Sequence, residues 1–139
     1  MKQVLINLPV KDLQRSMDFY TALGFNPQFS DETATRMVWS EDFSIMIMTQ
    51  EKFASFATKR LADTKSTMGG YYSLLVPSID ELNTFMTNGL DAGGREPNEM
   101  SDYGFMQQRT IEDFDGHTWN VIYMDMTKIP TEQPNEQEQ

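Results

Sequence analysis

The sequence contains no cysteine, which removes disulfides, thiolate metal sites and cysteine nucleophiles together. It contains a single histidine, His117, so one chain supplies neither a histidine-rich transition-metal site nor a two-histidine acid/base pair. Basic residues are scarce: 11 Lys and Arg stand against 21 Asp and Glu, a formal net charge of −10. Phosphate backbones and anionic lipid surfaces repel such a chain, so neither nucleic acid nor a membrane is an expected partner. No apolar run approaches the roughly 20 residues that span a bilayer. Met1-Lys2-Gln3 leads straight into a strand-like run, with no visible secretory signal, and a cytoplasmic location is the expectation. Gly69-Gly70 and Gly93-Gly94 read as turns, and no Gly-rich phosphate loop or Ser-His-Asp arrangement is evident.

What is present is a chain of 139 residues, enough for one domain that buries roughly two-thirds of its unfolded surface. Its eleven methionines suit irregular apolar gaps or an adaptable binding surface, and most are expected in the core. Residues 3–10 form a short, mostly apolar strand broken at Pro9. Asp12 is placed to cap a helix whose face carries Leu13, Met17, Tyr20 and Leu23, and Gly24 is placed to close it. Strands are expected at 27–30, 34–40 and 43–48. Residues 50–68 lack a clear period; Phe53, Phe56 and Leu61 suit a short helix resting on the domain, and Lys52, Lys59, Arg60 and Lys65 make this the most basic stretch.

The same order then begins again. A strand at 71–76 ends at Pro77, Ser78 and Glu81 form a capping box, and Leu82, Phe85, Met86 and Leu90 make a helix face. A short edge strand is expected at 95–97 and a longer one at 103–111. Asp113-Phe114-Asp115-Gly116-His117-Thr118-Trp119-Asn120-Val121 reads as an Asp-Gly turn feeding the last strand. The pattern is β-α-β-β-β twice, an α+β fold of two similar modules, about 3–49 and 70–125, joined by segment 50–69 within one domain at 1–126. Residues 127–139 are expected to be a disordered acidic tail, since Thr131 to Gln139 has no apolar residue except Pro134.

Two stretches resemble a known family. Asn7-Leu8-Pro9-Val10-Lys11-Asp12-Leu13 through Phe19-Tyr20, followed by Leu23-Gly24-Phe25, resembles the first βα unit of the vicinal oxygen chelate (VOC) superfamily, which holds the glyoxalase I, bleomycin-resistance and extradiol dioxygenase proteins. Glu112-Asp113-Phe114-Asp115-Gly116-His117-Thr118-Trp119 resembles its last turn and strand. The resemblance implies paired βαβββ modules that curl around a cleft, and a homodimer. In the metalloenzyme members it also implies four His, Glu or Gln ligands from the first and last strands of the modules. Carried over one at a time, those positions fall on Leu5, Met46, Tyr71 and Asn120. None is a carboxylate or an imidazole, and leucine cannot ligate at all.

By alternation, Asn7 shares the face of Leu5, and Ser73 the face of Tyr71. His117 lies three residues from Asn120, an odd step, and is expected on the opposite side of the sheet. Asn120 either orients a ligand or is a core amide satisfied by its surroundings, and Asn7 carries the same two readings. Tyr71 suits a pocket wall or a dimer seam. Met46 and Met48 with Leu5 make the cleft apolar or simply fill it. Trp39 and Phe29 either sit at a rim that would stack on a planar ligand or serve an interface or the core, and Arg109 is set either to counter an anion or to pair with nearby acids. The function expected is metal-free binding of a small, partly apolar or aromatic ligand in a cleft lined by Leu5, Asn7, Trp39, Met46, Met48, Tyr71, Ser73 and Asn120, with no cofactor. The alternative is a divergent enzyme, lactoylglutathione lyase-like or dioxygenase-like, with an atypical divalent metal site.

Overall fold

The computed structural model describes residues 1–128. The chain runs β1 (Val4–Val10), α1 (Leu13–Ala22), β2 (Asn26–Gln28), β3 (Ala34–Val38) and β4 (Phe43–Thr49). Then α2 (Gln50–Phe56) and a coil lead to β5 (Tyr72–Val76), α3 (Ile79–Asp91), β6 (Ser101–Asp102), β7 (Met106–Glu112) and β8 (Thr118–Met124), with a final 3-10 turn at Met126–Lys128. This is the expected α+β architecture of two βαβββ modules. The repeat is visible in its caps. The Asp12 carboxylate accepts from the Arg15 N–H at 3.1 Å, and the Ser78 hydroxyl accepts from the Glu81 N–H at 3.1 Å, each satisfying an orphan donor of the first turn. Gly24 follows α1 at φ +107°, a left-handed conformation that a Cβ disfavours and that stops the helix.

Each module builds a four-stranded sheet, ordered β1-β4-β3-β2 and β5-β8-β7-β6. In both, the first strand lies parallel to the last and the other pairs are antiparallel. Alternation along each strand turns one face of each sheet towards the helices. From the first sheet, Leu8, Val10, Met37, Ile45 and Ile47 point that way, and from the second Leu74, Val76, Ile111, Trp119 and Val121, all buried. These side chains form one core with Phe19 and Tyr20 of α1 and with Leu82, Phe85 and Met86 of α3. The core crosses the module boundary: the Trp119 ring meets Tyr20, Phe25 and Phe43, and Trp39 meets Phe85. With both helix-facing sides sharing this core, the opposite side of each sheet is left open.

Several strand ends differ from the sequence expectation, β7 for example running Met106–Glu112 against the expected 103–111, and three differences have a clear physical reason. The edge strand of the second module is Ser101–Asp102, not 95–97; Arg95 makes only an isolated bridge to Glu112, and Pro97 has no N–H with which to extend it. The strand expected at 27–30 ends at Gln28, because Phe29 adopts φ +50° and leaves the extended region. Of the expected tail at 127–139, residues 127 and 128 belong to the 3-10 turn and the rest lie outside the described residues.

One buried group is left without a partner. Ser16, inside α1, is buried and its hydroxyl makes no hydrogen bond among the described residues. Desolvating an unpaired hydroxyl costs stability, and alanine is the better helix former. Ser16→Ala is therefore expected to raise the unfolding free energy by about 1 kcal/mol in urea titrations.

Candidate functional site

The open faces follow from the same alternation that builds the core. On β1, even-numbered residues Leu8 and Val10 are buried, so Leu5 and Asn7 turn outward, and both are exposed. Asn7 lies opposite Met46 of β4, and Met46 lies opposite Arg36 of β3. On the second sheet Ser73 lies opposite Asn120, which in turn lies opposite Thr110. Leu5 is 44% exposed and Leu75, on the same face as Ser73, is 61% exposed. Both are large apolar side chains on the side of their sheet that the helices do not cover.

The segment between the modules covers part of the first open face. The Thr49 hydroxyl accepts from the Lys52 N–H at 3.2 Å and starts α2, whose Phe53 turns inward while Phe56 stays exposed. Beneath it, Asn7 and Met48 with Phe53, Phe56 and Ala57 line a cavity of about 410 Å³. A second cavity of about 370 Å³ opens at the free edge of β1, lined by Asn7, Pro9, Phe53, Leu61, Tyr72 and His117 among others. Asn7 is common to both. Burial and the nearby Asp113 charge raise the Tyr72 phenol above its ordinary 10.0, so it stays a neutral hydroxyl at the cavity wall.

The expected residues are placed as follows. Leu5, Asn7, Met46 and Met48 share the first open face, with Met48 buried below α2. Ser73 and Asn120 share the second, and Tyr71, just ahead of β5, is 57% exposed. Asn120 is half-buried; its carbonyl oxygen accepts from the Thr110 hydroxyl at 2.9 Å, while its amide N–H groups bond to no described residue. Trp39 is not brought to either open face: its ring packs against Phe25 and Phe85 between the modules. Phe29 stands at the outer edge of the first sheet, largely exposed.

Arg109 is held by Glu96 through two hydrogen bonds, 2.9 and 2.8 Å, and by the Asn83 amide oxygen at 3.0 Å, so it is committed to these two side chains. The His117 ring is buried opposite Asn120, with Nε2 2.7 Å from the Pro9 carbonyl oxygen. A carbonyl only accepts, so Nε2 carries the proton and spends it on the backbone.

Among the described residues, the cavities under α2 and at the edge of β1 do not join the two open faces. The cavities that Asn7 lines reach neither Ser73 nor Asn120. The residues at the family's metal positions also do not fit a metal. Leu5 has no donor atom, Met46 offers a soft thioether, Tyr71 a phenol, and the Asn120 carbonyl oxygen already accepts from Thr110. Among the described residues, no group of three or more His, Asp and Glu side chains stands close enough to hold an ion.

Two contributors were not singled out in the sequence. Phe53 was legible only as a residue suited to a resting helix. Arg36 was overlooked, though its place between the buried Thr35 and Met37 marks it as facing the other way.

Comparison with known proteins gives a consistent picture. A sequence model of the Glyoxalase/Bleomycin resistance protein/Dioxygenase superfamily matches residues 2–121. No curated protein sequence matches significantly. Among solved structures, the hypothetical protein SA1046 from S. aureus is 22% identical, with 88% of this chain and 94% of that one covered at a TM-score of 0.76. A glyoxalase-related enzyme from Fulvimarina pelagi is 20% identical, with 88% of each chain covered and a TM-score of 0.75. The fosfomycin resistance protein FosX from Listeria monocytogenes is 16% identical, with 88% and 93% covered and a TM-score of 0.65. At these identities the structural likeness speaks for the fold alone.

Proposed function

The chain belongs to the Glyoxalase/Bleomycin resistance protein/Dioxygenase superfamily, and from that premise we propose that it binds a small, partly apolar or aromatic molecule without a metal ion. The observation that carries the reading is the donor set: Leu5, Met46, Tyr71 and Asn120 stand where the metalloenzymes of the family need carboxylates and imidazoles. What stands there instead is a wall for an organic molecule. Leu5, Met46 and the Phe53-covered cavity supply apolar surface, and Asn7 with the free amide N–H groups of Asn120 supplies a few orienting polar atoms. Such a mix of apolar lining and sparse polar anchors is what a small-molecule site requires.

The site needs a second copy. Because the open faces of one chain point away from its shared core, a cleft walled by both arises when the first module of one protomer faces the second module of another. Exposed Leu5, Tyr71 and Leu75 are then covered. Light scattering is expected to return a dimer of 16.0 kDa chains, and a monomer at micromolar concentration would contradict it. Elemental analysis of protein purified without chelator is expected to find less than about a tenth of a metal ion per chain. Stoichiometric Zn, Ni, Fe or Mn would overturn the metal-free reading and favour the divergent enzyme.

A further inference from the structure

The charge on the first open face points to the class of ligand. Arg36 projects from β3 onto that face, in one cross-strand row with Met46 and Asn7. Neighbouring strands lie about 4.8 Å apart, so its long side chain spans the distance to the candidate cleft residues. It is half-buried, and its only hydrogen bond to a described residue runs from Nε to the neutral hydroxyl of buried Ser44, at 3.1 Å. No described carboxylate pairs with it.

That is unexpected in a chain with 21 acidic and 11 basic residues, where a partly desolvated guanidinium has carboxylates in excess to choose from. Arg109 shows what a structural arginine does here: it forks onto Glu96 and adds Asn83. Arg36 is instead anchored at one nitrogen and leaves its terminal N–H groups unmatched, in the planar fork that suits a carboxylate, sulfonate or phosphate. The other open-face side chains in its row and on the facing strand, Met46, Asn7 and Asn120, are neutral.

We infer that the cleft ligand is an organic anion with an apolar or aromatic body, and that Arg36 receives its negative group. The inference rests on the cleft-binding reading above and adds the ligand's charge to it. Because the net charge of −10 repels anions at long range, any preference for an anion has to come from a local contact.

Two dyes with the same rings separate the two claims. N-phenyl-1-naphthylamine is uncharged, and 8-anilino-1-naphthalenesulfonate carries a sulfonate on the same skeleton. Fluorescence titration of the full chain is expected to show the sulfonate binding at least tenfold more tightly. Arg36→Gln and Arg36→Met are expected to bring it to parity while changing neutral-dye affinity less than twofold. Arg36→Lys is expected to keep part of the preference. Arg15→Gln removes the same charge from a side chain stacked on Phe114, 3.6 Å from its ring centroid, and is expected to leave the ratio unchanged. Equal affinities in the wild type, or a ratio insensitive to Arg36, overturn the anion inference while neutral-dye binding still upholds the cleft. Failure of both dyes to saturate overturns the two together. The wild-type ratio requires no variant to fold.

Discussion

Replacing Asp113 by alanine is expected to cost about 3–5 kcal/mol, enough to unfold a large share of a domain of ordinary stability. The carboxylate is buried at the junction of the modules and satisfies three donors at once. Tyr20 of α1 donates its hydroxyl to Oδ2 at 2.6 Å, and the backbone N–H groups of Asp115 and His117 donate to Oδ1 at 2.9 Å. The Tyr20 oxygen in turn accepts from Trp119 Nε1 at 3.0 Å. Alanine leaves the phenol and two amides buried and unpaired, and also loosens the turn that leads into β8. Chemical denaturation with matched slopes measures the loss; a change below 1 kcal/mol would show that water replaces the carboxylate.

Asp113 also gives the fold a signature against pH. Burial is the largest influence on its carboxyl and, against the nearby His117 and the Tyr20 and backbone hydrogen bonds, holds its pKa above the ordinary 3.8. A group with a raised folded-state pKa binds its proton more tightly when folded, so its contribution to stability is greatest at low pH. That contribution falls as pH rises from about 4 through the raised value. The difference in unfolding free energy between wild type and Asp113→Asn is expected to move against the wild type across that window. A difference that is flat with pH would contradict the desolvation argument.

Gly116→Ala is expected to cost about 3 kcal/mol and to disturb the cavity at the edge of β1. Gly116 sits at φ +86°, where a Cβ is disfavoured. An added Cβ there would also run into the Thr64 carbonyl oxygen and the Lys65 Cα, which are backbone atoms unable to swing aside. The Thr64 hydroxyl already donates to the Asp115 carbonyl oxygen at 2.5 Å, tying segment 50–69 to the last turn. Gly104 is the internal comparison: it has the same φ of +86° but open space around it. Gly104→Ala is expected to cost about 1 kcal/mol, the backbone component alone. If the two substitutions cost the same, the close approach of segment 50–69 contributes nothing.

The fold was largely legible because its signals are local. Asp12, Ser78 and Gly24 are helix boundaries that the chain writes within three or four residues, and strict alternation assigned Leu5, Asn7 and Asn120 to one side and His117 to the other. For Trp39 the sequence leaves rim and core open; its odd numbering, shared with buried Met37, points to the core, where its ring packs against Phe85. The edge strand at 101–102 escaped because two residues carry no period. A short helix resting on the domain was legible at Phe53 and Phe56, but not where it docks, because Phe53 acquires its partners, Asn7 and Met48, only through tertiary packing. Arg36 escaped for a related reason: an arginine in a strand is informative only once its acids are seen to be elsewhere.

The central claim is a cleft that binds an organic molecule without a metal, and titration of the uncharged N-phenyl-1-naphthylamine tests it most directly. Performed once in excess EDTA and once with added Zn²⁺ or Mn²⁺, it is predicted to give one saturable isotherm common to both conditions, lost on Asn7→Trp or Met46→Asp. Binding that emerges only with the metal, or no saturable binding in either, would contradict the account.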